Sequence, residues 1–266
     1  MFKLEFLKKY QSQEDKMLIS RLFDKIEEVN NKKKIVYTDF LDMHEQSIVN
    51  KELKYLKIPY TLWGGFEGAT RQGCVCYPQF VDEQLAKKEY SQNIQIIRIT
   101  LPTSLKGTYE HRIYLSGIMK LGIKRQKVGD IICDENGADI IVTNELSKYI
   151  KENLESLTRF SKCKFEILPI DQIRKVNIQK QEIEILVQSL RIDNIVAELL
   201  NISRSKTEEY LQSKKIFINY DNDFKSSKLL KEKDIIVIRG KGKFEFDEII
   251  GTTKKNKYIL KMLKYV

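Results

Sequence analysis

The sequence has little of what metal and redox chemistry needs. It holds two histidines, His44 and His111, and four cysteines, Cys74, Cys76, Cys133 and Cys163. Cys74 and Cys76 make only a C-x-C, and the histidines supply no second pair at zinc spacing, so neither a metal site nor a cofactor is expected. No pairing pattern and no secretory leader accompany the cysteines, which points to reduced thiols in a cytoplasmic protein. No apolar run approaches the roughly 20 residues that cross a bilayer, so no membrane partner is expected. Internal repeats and low-complexity tracts are also missing. What is plentiful is positive charge: 47 Lys and Arg oppose 37 Asp and Glu, a net charge of +10, and the pI is about 9.2. That excess favours a polyanionic partner, because each phosphate neutralised releases condensed counterions. Charge alone does not choose among nucleic acid, an anionic membrane surface and mere solubility.

With 266 residues the chain is long enough for two or three domains, each burying its own core. The stretch EDKMLISRLFDKIEEVNNKKK (14–34) places Met17, Leu18, Leu22, Ile26 and Val29 at helical spacing. TDFLDMHEQSIVNKELKYL (38–56) repeats that logic with Phe40, Leu41, Ile48, Leu53 and Leu56, and predicts a second helix closed by Pro59. YTLWGGFEGATRQGCVCYP (60–78) reads as two short strands around a Gly-rich loop. A small α/β domain is expected over 1–80.

The pattern then changes to strand, helix, strand, strand, helix, strand: IQIIRITLP (94–102), HRIYLSGIMKLGI (111–123), KVGDIICDE (127–135), ADIIVTN (138–144), ELSKYIKENLESL (145–157) and CKFEILPI (163–170). This order predicts a ferredoxin-like domain over 81–170 with both helices on one face of an antiparallel sheet. RNA-recognition motifs share the topology, but their sheets need exposed aromatics, and these strands are Ile, Val and Cys. DQIRKVNIQKQE (171–182) suits a linker. The fold class as a whole is α+β.

LRIDNIVAELLNISRSKTEEYLQSKKIFIN (190–219) carries more charge than two helices and a turn require. Ile192, Ile195, Val196, Leu199 and Leu200 form one apolar stripe, continued by Ile202, Tyr210 and Leu211. Ser203 can cap the second helix, and Ser205 with Glu208 offers a capping box two residues later. A helix N-terminus with two hydroxyls, Arg204 and Lys206 can hold phosphate, although Ser caps and exposed cations are also ordinary surface features. Lys214 and Lys215 stand before the strand IFIN, and a second strand leads into Arg239, Lys241 and Lys243.

These residues closely resemble the RNA-binding module named after ribosomal protein S4. The match lies in the RID of 191–193, ISRSK of 202–206, IFIN of 216–219 and KDIIVIRGKGKF of 233–244. It implies two helices packed on a small sheet over 183–245, with a basic extension over 246–266. It also implies an RNA-facing set of Arg191, Ser203, Arg204, Ser205, Lys206, Lys214, Lys215, Asn219, Arg239, Lys241 and Lys243. Two glycines usual in the module are Lys214 and Lys233 here, so the backbone of those turns is expected to differ. HRIYLSGIMKLGIKRQKVGDI (111–131) resembles the central signature of YlmH-type bacterial RNA-binding proteins, carried by Gly117, Gly122, Arg125, Lys127, Gly129 and Asp130. FLDMHEQ, WGGFEGATRQ and GTTKKNKY match in the same way. In that signature His111 and Arg112 open a helix that Lys124, Arg125 and Lys127 close, and Asp130 reads as a turn residue. His111, Arg112, Arg125 and Lys127 are a second candidate contact.

The resemblance implies a monomeric, ribosome-associated protein without catalytic residues. Its partners would be ribosomal RNA, and tRNA, on large subunits obstructed by peptidyl-tRNA during ribosome quality control. An RNA-modifying enzyme with an accessory S4 domain is the alternative, but WGGFEG lacks a phosphate-loop Lys and RGKGKF lacks a following helix. A division-associated interaction protein is a further alternative and rests on charge alone.

Overall fold

The computed structural model describes residues 2–174, 180–219 and 221–265. The chain folds into two compact units, Met1–Val176 and Asn177–Val266. The linker expected over 171–182 falls, for 175–179, outside the described residues, and its last three residues already belong to a strand.

The first unit opens with α1 (Phe2–Lys8) and α2 (Gln13–Lys32), followed by β1 (Val36–Leu41), α3 (Met43–Leu56), β2 (Tyr60–Trp63) and β3 (Gln72–Cys76). The helix read from 38–56 is therefore two elements. Its first residues form β1, and α3 starts only after Asp42, whose side chain accepts the Glu45 N–H while Glu45 returns to the Asp42 N–H. The strands assemble in the order β1-β3-β2, all antiparallel, with β3 buried along its whole length. One face packs on α2 and α3 through Ile19, Leu22, Ile26, Val49 and Leu53. These core residues hold the layer, since truncating a buried Leu of this kind costs about 2–5 kcal/mol.

The same unit continues with α4 (Glu83–Ser91), β4 (Ile94–Thr100), α5 (His111–Lys120), β5 (Val128–Asp134), β6 (Gly137–Thr143), α6 (Asn144–Glu155) and β7 (Lys164–Pro169). The order β5-β6-β4-β7 with antiparallel pairing throughout is the ferredoxin-like arrangement. Tyr114 and Ile118 of α5 and Ile150 and Leu154 of α6 bury one face with Ile97, Ile99, Ile140 and Val142. The opposite face is closed as well. Ile96 and Ile141 are fully buried there, clustered with Phe40 and Val75 of the first sheet and with Ala86 and Tyr90 of α4. The boundary expected near residue 80 thus lies inside one compact unit, because α4 and the two sheets share a core.

The second unit runs β8 (Lys180–Val187), α7 (Ile192–Leu200), α8 (Arg204–Gln212), β9 (Ile216–Ile218), β10 (Ile235–Ile238), β11 (Gly242–Thr252) and β12 (Tyr258–Tyr265). Its five strands are ordered β8-β12-β11-β10-β9. Residues 246–266, expected as an extension, instead supply most of β11 and β12. The alternation in FEFDEII and YILKMLKY places Phe246, Leu260 and Met262 in the core with Ile192, Ile195 and Val196 of α7.

Candidate nucleic-acid interface

Helix α8 begins at Arg204. Ser203 is its cap, with the Lys206 N–H donating to Ser203 Oγ at 3.4 Å, and the two hydroxyls of Ser203 and Ser205 lie 3.0 Å apart. The boundary left open between Ser203 and Ser205 is thus settled by Ser203. The buried Thr207 hydroxyl donates to the Ser203 carbonyl at 3.1 Å and pins the corner between α7 and α8. Arg204 reaches the Gln188 side chain at 3.5 Å, and Lys206 is exposed.

At the other end of α8 the chain turns sharply. The Lys214 N–H donates to Leu211 O and the Lys215 N–H to Tyr210 O, which puts Lys214 in the left-handed region at φ 51°. Lys233 is left-handed too, at φ 70°. The turns therefore keep the glycine-type backbone that their lysines were expected to alter. A side chain in the left-handed region carries a backbone cost at both turns. The Arg239 N–H donates to Lys215 O at 2.9 Å, so the entry of β9 and the exit of β10 lie side by side. The Arg239 guanidinium stands 5.6 Å from the centroid of the Phe217 ring, and Lys215 Nζ 5.8 Å from that of Tyr210. Lys241 closes the three-residue turn to β11 by donating its N–H to Ile238 O.

The fold thus gathers Lys214, Lys215, Arg239 and Lys241 at one end of the sheet. Neither 213–218 nor 235–243 contributes a carboxylate to that end. Lys243 follows on β11 with its ammonium 4.5 Å from the Tyr265 ring, beside Lys180 and Glu245, which pair at 2.7 Å. Ser203 to Lys206 is not part of this cluster, since the nine residues of α8 separate the two groups by about 13 Å at 1.5 Å per residue.

Two members of the expected set have internal work. Arg191 makes a two-pronged contact with Asp193, at 3.1 and 2.6 Å, beside the bridge that Arg191 forms with Leu229. Asn219, at φ 49°, donates to Asp234 and accepts from the Ile235 N–H, and so ties β9 to the start of β10. Sequence reasoning also named no role for Lys254 and Lys255, which are exposed in the turn between β11 and β12. Their signal was the GTTKKNKY match alone.

The signature in the first unit has a structural logic of its own. Helix α5 ends at Lys120, and residues 125–127 form a separate 3-10 turn, so Arg125 and Lys127 do not close that helix. Arg125 donates to Val128 O and Gly129 O, and burial, reinforced by Arg71, lowers its pKa to about 10. Lys127 pairs with Asp39 of β1 at 2.6 Å, and Gln126 donates to Glu45 of α3. Asp130 lies in an irregular stretch of β5, not a turn, and accepts the N–H groups of Thr70 and Arg71. Burial raises its pKa even though both donors oppose the shift. Arg71 completes the junction by donating to Val128 O and Phe40 O. A side chain at Gly129 would meet Phe40 at 2.9 Å, and one at Gly117 would meet Phe160 at 2.8 Å. Lys127, Gly129 and Asp130, with Arg71, therefore join the first sheet to the second, while Arg125 braces the start of β5 from within its own segment.

His111 and Arg112 remain at the surface. The His111 pKa is lowered by burial first and by Arg125 second, while Arg112 lies 3.4 Å from Glu110. Cys74 and Cys76 are fully buried with their sulfurs 3.8 Å apart, and burial pushes the Cys74 thiol far up, which makes it a poor nucleophile. Among the described residues, no group of three or more His, Cys, Asp or Glu could hold a metal ion, and no helix is long and apolar enough to cross a membrane.

A ferredoxin-like domain whose second face is sealed, in a chain that also carries a helix pair on a five-stranded sheet, defines a multi-domain α+β protein. Residues 87–172 match the family model described as the putative RNA-binding domain in YlmH. The YlmH-type resemblance read from the sequence therefore holds over the central domain. The ribosome-associated protein quality control protein P2 of Bacillus subtilis (strain 168) is 28% identical over 224 residues, covering 83% of this chain and 84% of that protein. Among solved structures, the cell division protein ylmH from Streptococcus pneumoniae shares the fold with a TM-score of 0.50 at 19% identity, covering 62% of this chain and 98% of that one.

Proposed function

We propose that the protein binds structured RNA through the basic end of the second unit and works on the ribosome. The observation that carries this reading is the convergence of Lys214, Lys215, Arg239 and Lys241 from two adjoining segments, 213–218 and 235–243, that contain no carboxylate. Such a cluster is suited to a phosphate backbone. The helix pair and the β9–β10 sheet act as an S4-type module, with Arg204 and Lys206 as a separate phosphate contact. The name of the Bacillus relative supports a ribosomal setting, and the matched domain supports RNA as the ligand.

On this reading the partner is ribosomal RNA, with tRNA, on large subunits obstructed by peptidyl-tRNA. The protein acts as a cytoplasmic monomer, by binding and not by catalysis. Cross-linking in cells followed by sequencing of the attached RNA tests it. Enrichment of large-subunit RNA and tRNA is expected, and cross-links scattered over messenger RNA would overturn the ribosomal assignment. For the alternative of an RNA-modifying enzyme, one missing modification in a deletion strain, restored by the wild-type gene, would displace the binding reading.

A further inference from the structure

The domain over 87–172 matches an RNA-binding family, yet neither face of its sheet is open to bases. The helices cover one face, and Phe40, Val75 and Tyr90 cover the other. Two of its cations, Lys124 and Lys127, meet cations of α2 on a different surface. A groove of about 520 Å³ runs between α2, β1 and the 124–127 turn, bordered by Arg21, Lys25, Tyr37, Lys124 and Lys127. That volume lies within the roughly 300–1,000 Å³ usual for ligand sites.

Charge pairing in the groove is uneven. Its three carboxylates each have a cation of their own: Asp24 pairs with Lys3, Glu28 with Lys32 at 3.7 Å, and Asp39 with Lys127 at 2.6 Å. The side chains of Arg21, Lys25 and Lys124 are left over, with no hydrogen bond or ion pair among the described residues. Three unmatched cations around a concavity raise the local potential for anions. Tyr37 is half-buried and set edge-on against Tyr90, with ring centroids 5.2 Å apart, so its ring is fixed where it borders the groove. A second groove of about 380 Å³ adjoins it through Leu18, Arg21, Lys124 and Gln126 and is of mixed charge, with Glu14, Asp15, Asp42 and Glu45 facing Arg71 and Arg125, so the unmatched cations are confined to the first groove.

We infer that this groove is a nucleoside-phosphate site that takes a single strand of RNA, with Arg21, Lys25 and Lys124 on phosphates and Tyr37 against a base. Cations that follow the backbone and an aromatic ring that stacks a base are the two elements by which proteins hold single strands. The choice of RNA rests on the function proposed above, whereas the site is independent of the basic end of the second unit.

The test uses the full chain, a fluorescent single-stranded oligoribonucleotide, and AMP as competitor. Arg21→Gln/Lys25→Gln/Lys124→Gln is compared with Arg204→Ala/Lys206→Ala after both have been checked for wild-type melting. The groove variant is expected to bind the oligonucleotide about tenfold or more weakly, with a log-affinity against log-salt slope smaller by about 2, from three phosphates at roughly 0.7 each. Displacement of the oligonucleotide by AMP supports the same site with a free nucleotide as its ligand, and no displacement supports the strand. Wild-type affinity in the groove variant, with loss in the Arg204 and Lys206 variant, overturns the groove and leaves the proposed function standing. Loss in neither overturns the groove together with the phosphate contact at Arg204 and Lys206. Should the groove variant unfold, photo-cross-linking of the wild type decides the matter. Adducts within 18–39 or 124–127 support the site, and adducts confined to 180–265 overturn it.

Discussion

Replacing Lys214 with glycine is expected to push stability and RNA binding in opposite directions. Lys214 sits at φ 51° at the end of α8, where a side chain costs about 1–2 kcal/mol relative to the right-handed region. Glycine removes that cost but returns about 0.4–1 kcal/mol through the greater freedom of its unfolded chain. The net gain is therefore about 0.5–1 kcal/mol, or about 2–6 °C in the melting of a unit this size. The same substitution deletes one cation from the cluster with Lys215, Arg239 and Lys241. Affinity for ribosomal RNA fragments should fall and the salt slope should shrink by about 1. Lys233→Gly is the control. It relieves φ 70° at a turn where the lysine pairs with Asp247, so it should raise melting less and leave RNA binding alone. Calorimetry of the full chain and a salt titration of RNA binding read both quantities. A Lys214→Gly protein that melts at or below wild type would refute the strain argument, and one that binds with unchanged slope would remove Lys214 from the interface.

The other predictions concern separate parts of the molecule. Arg204→Ala/Lys206→Ala should melt like wild type, since exposed charges contribute less than about 0.5 kcal/mol, and should lose about 2 from the salt slope; unchanged association with large subunits would sink the clamp at α8. Gly129→Ala should destabilise the first unit by about 1–3 kcal/mol, because the new methyl lies 2.9 Å from Phe40 and 3.1 Å from Ile141; denaturant unfolding with an unchanged midpoint would contradict that packing. The His111 ring binds fewer protons folded than unfolded, so its contribution is present above the ordinary histidine range near 6.5 and is lost as pH falls through the lowered folded pKa. His111→Gln should remove that part of the pH dependence of stability, and identical slopes in the two proteins over about pH 5–7 would count against it.

Local pattern revealed most elements, and failed where two patterns overlapped. Phe40 and Leu41 sit at helical spacing from Ile48, and that spacing hid both the β-prone VYTDFL and the Asp42–Glu45 capping box that marks the true helix start. In 246–266 the two-residue alternation was present, but the familiar module ended before it, so two core strands read as an extension. For the site, exposed cations beside short strands were legible from the matched motif. Their division into two groups was not, because it depends on where α8 points. The roles of Asp130 and Lys127 were likewise hidden, since their partners lie 59, 60 and 88 residues away along the chain.

The pairing of β8 with β12 places the first strand of the second unit beside its last, Lys180 opposite Tyr265. During synthesis β8 emerges with no neighbour of its own in the sheet and waits while α7, α8 and three strands are made. A waiting edge invites pairing with other nascent chains. Lys180, Gln181, Glu182 and Glu184 answer that hazard, since charged and polar side chains make β8 a poor template for a stranger. Its proper partner carries the complement, for Lys261 reaches Glu182 at 3.1 Å once β12 arrives. The sheet closes late, by the same charges that kept it from closing wrongly.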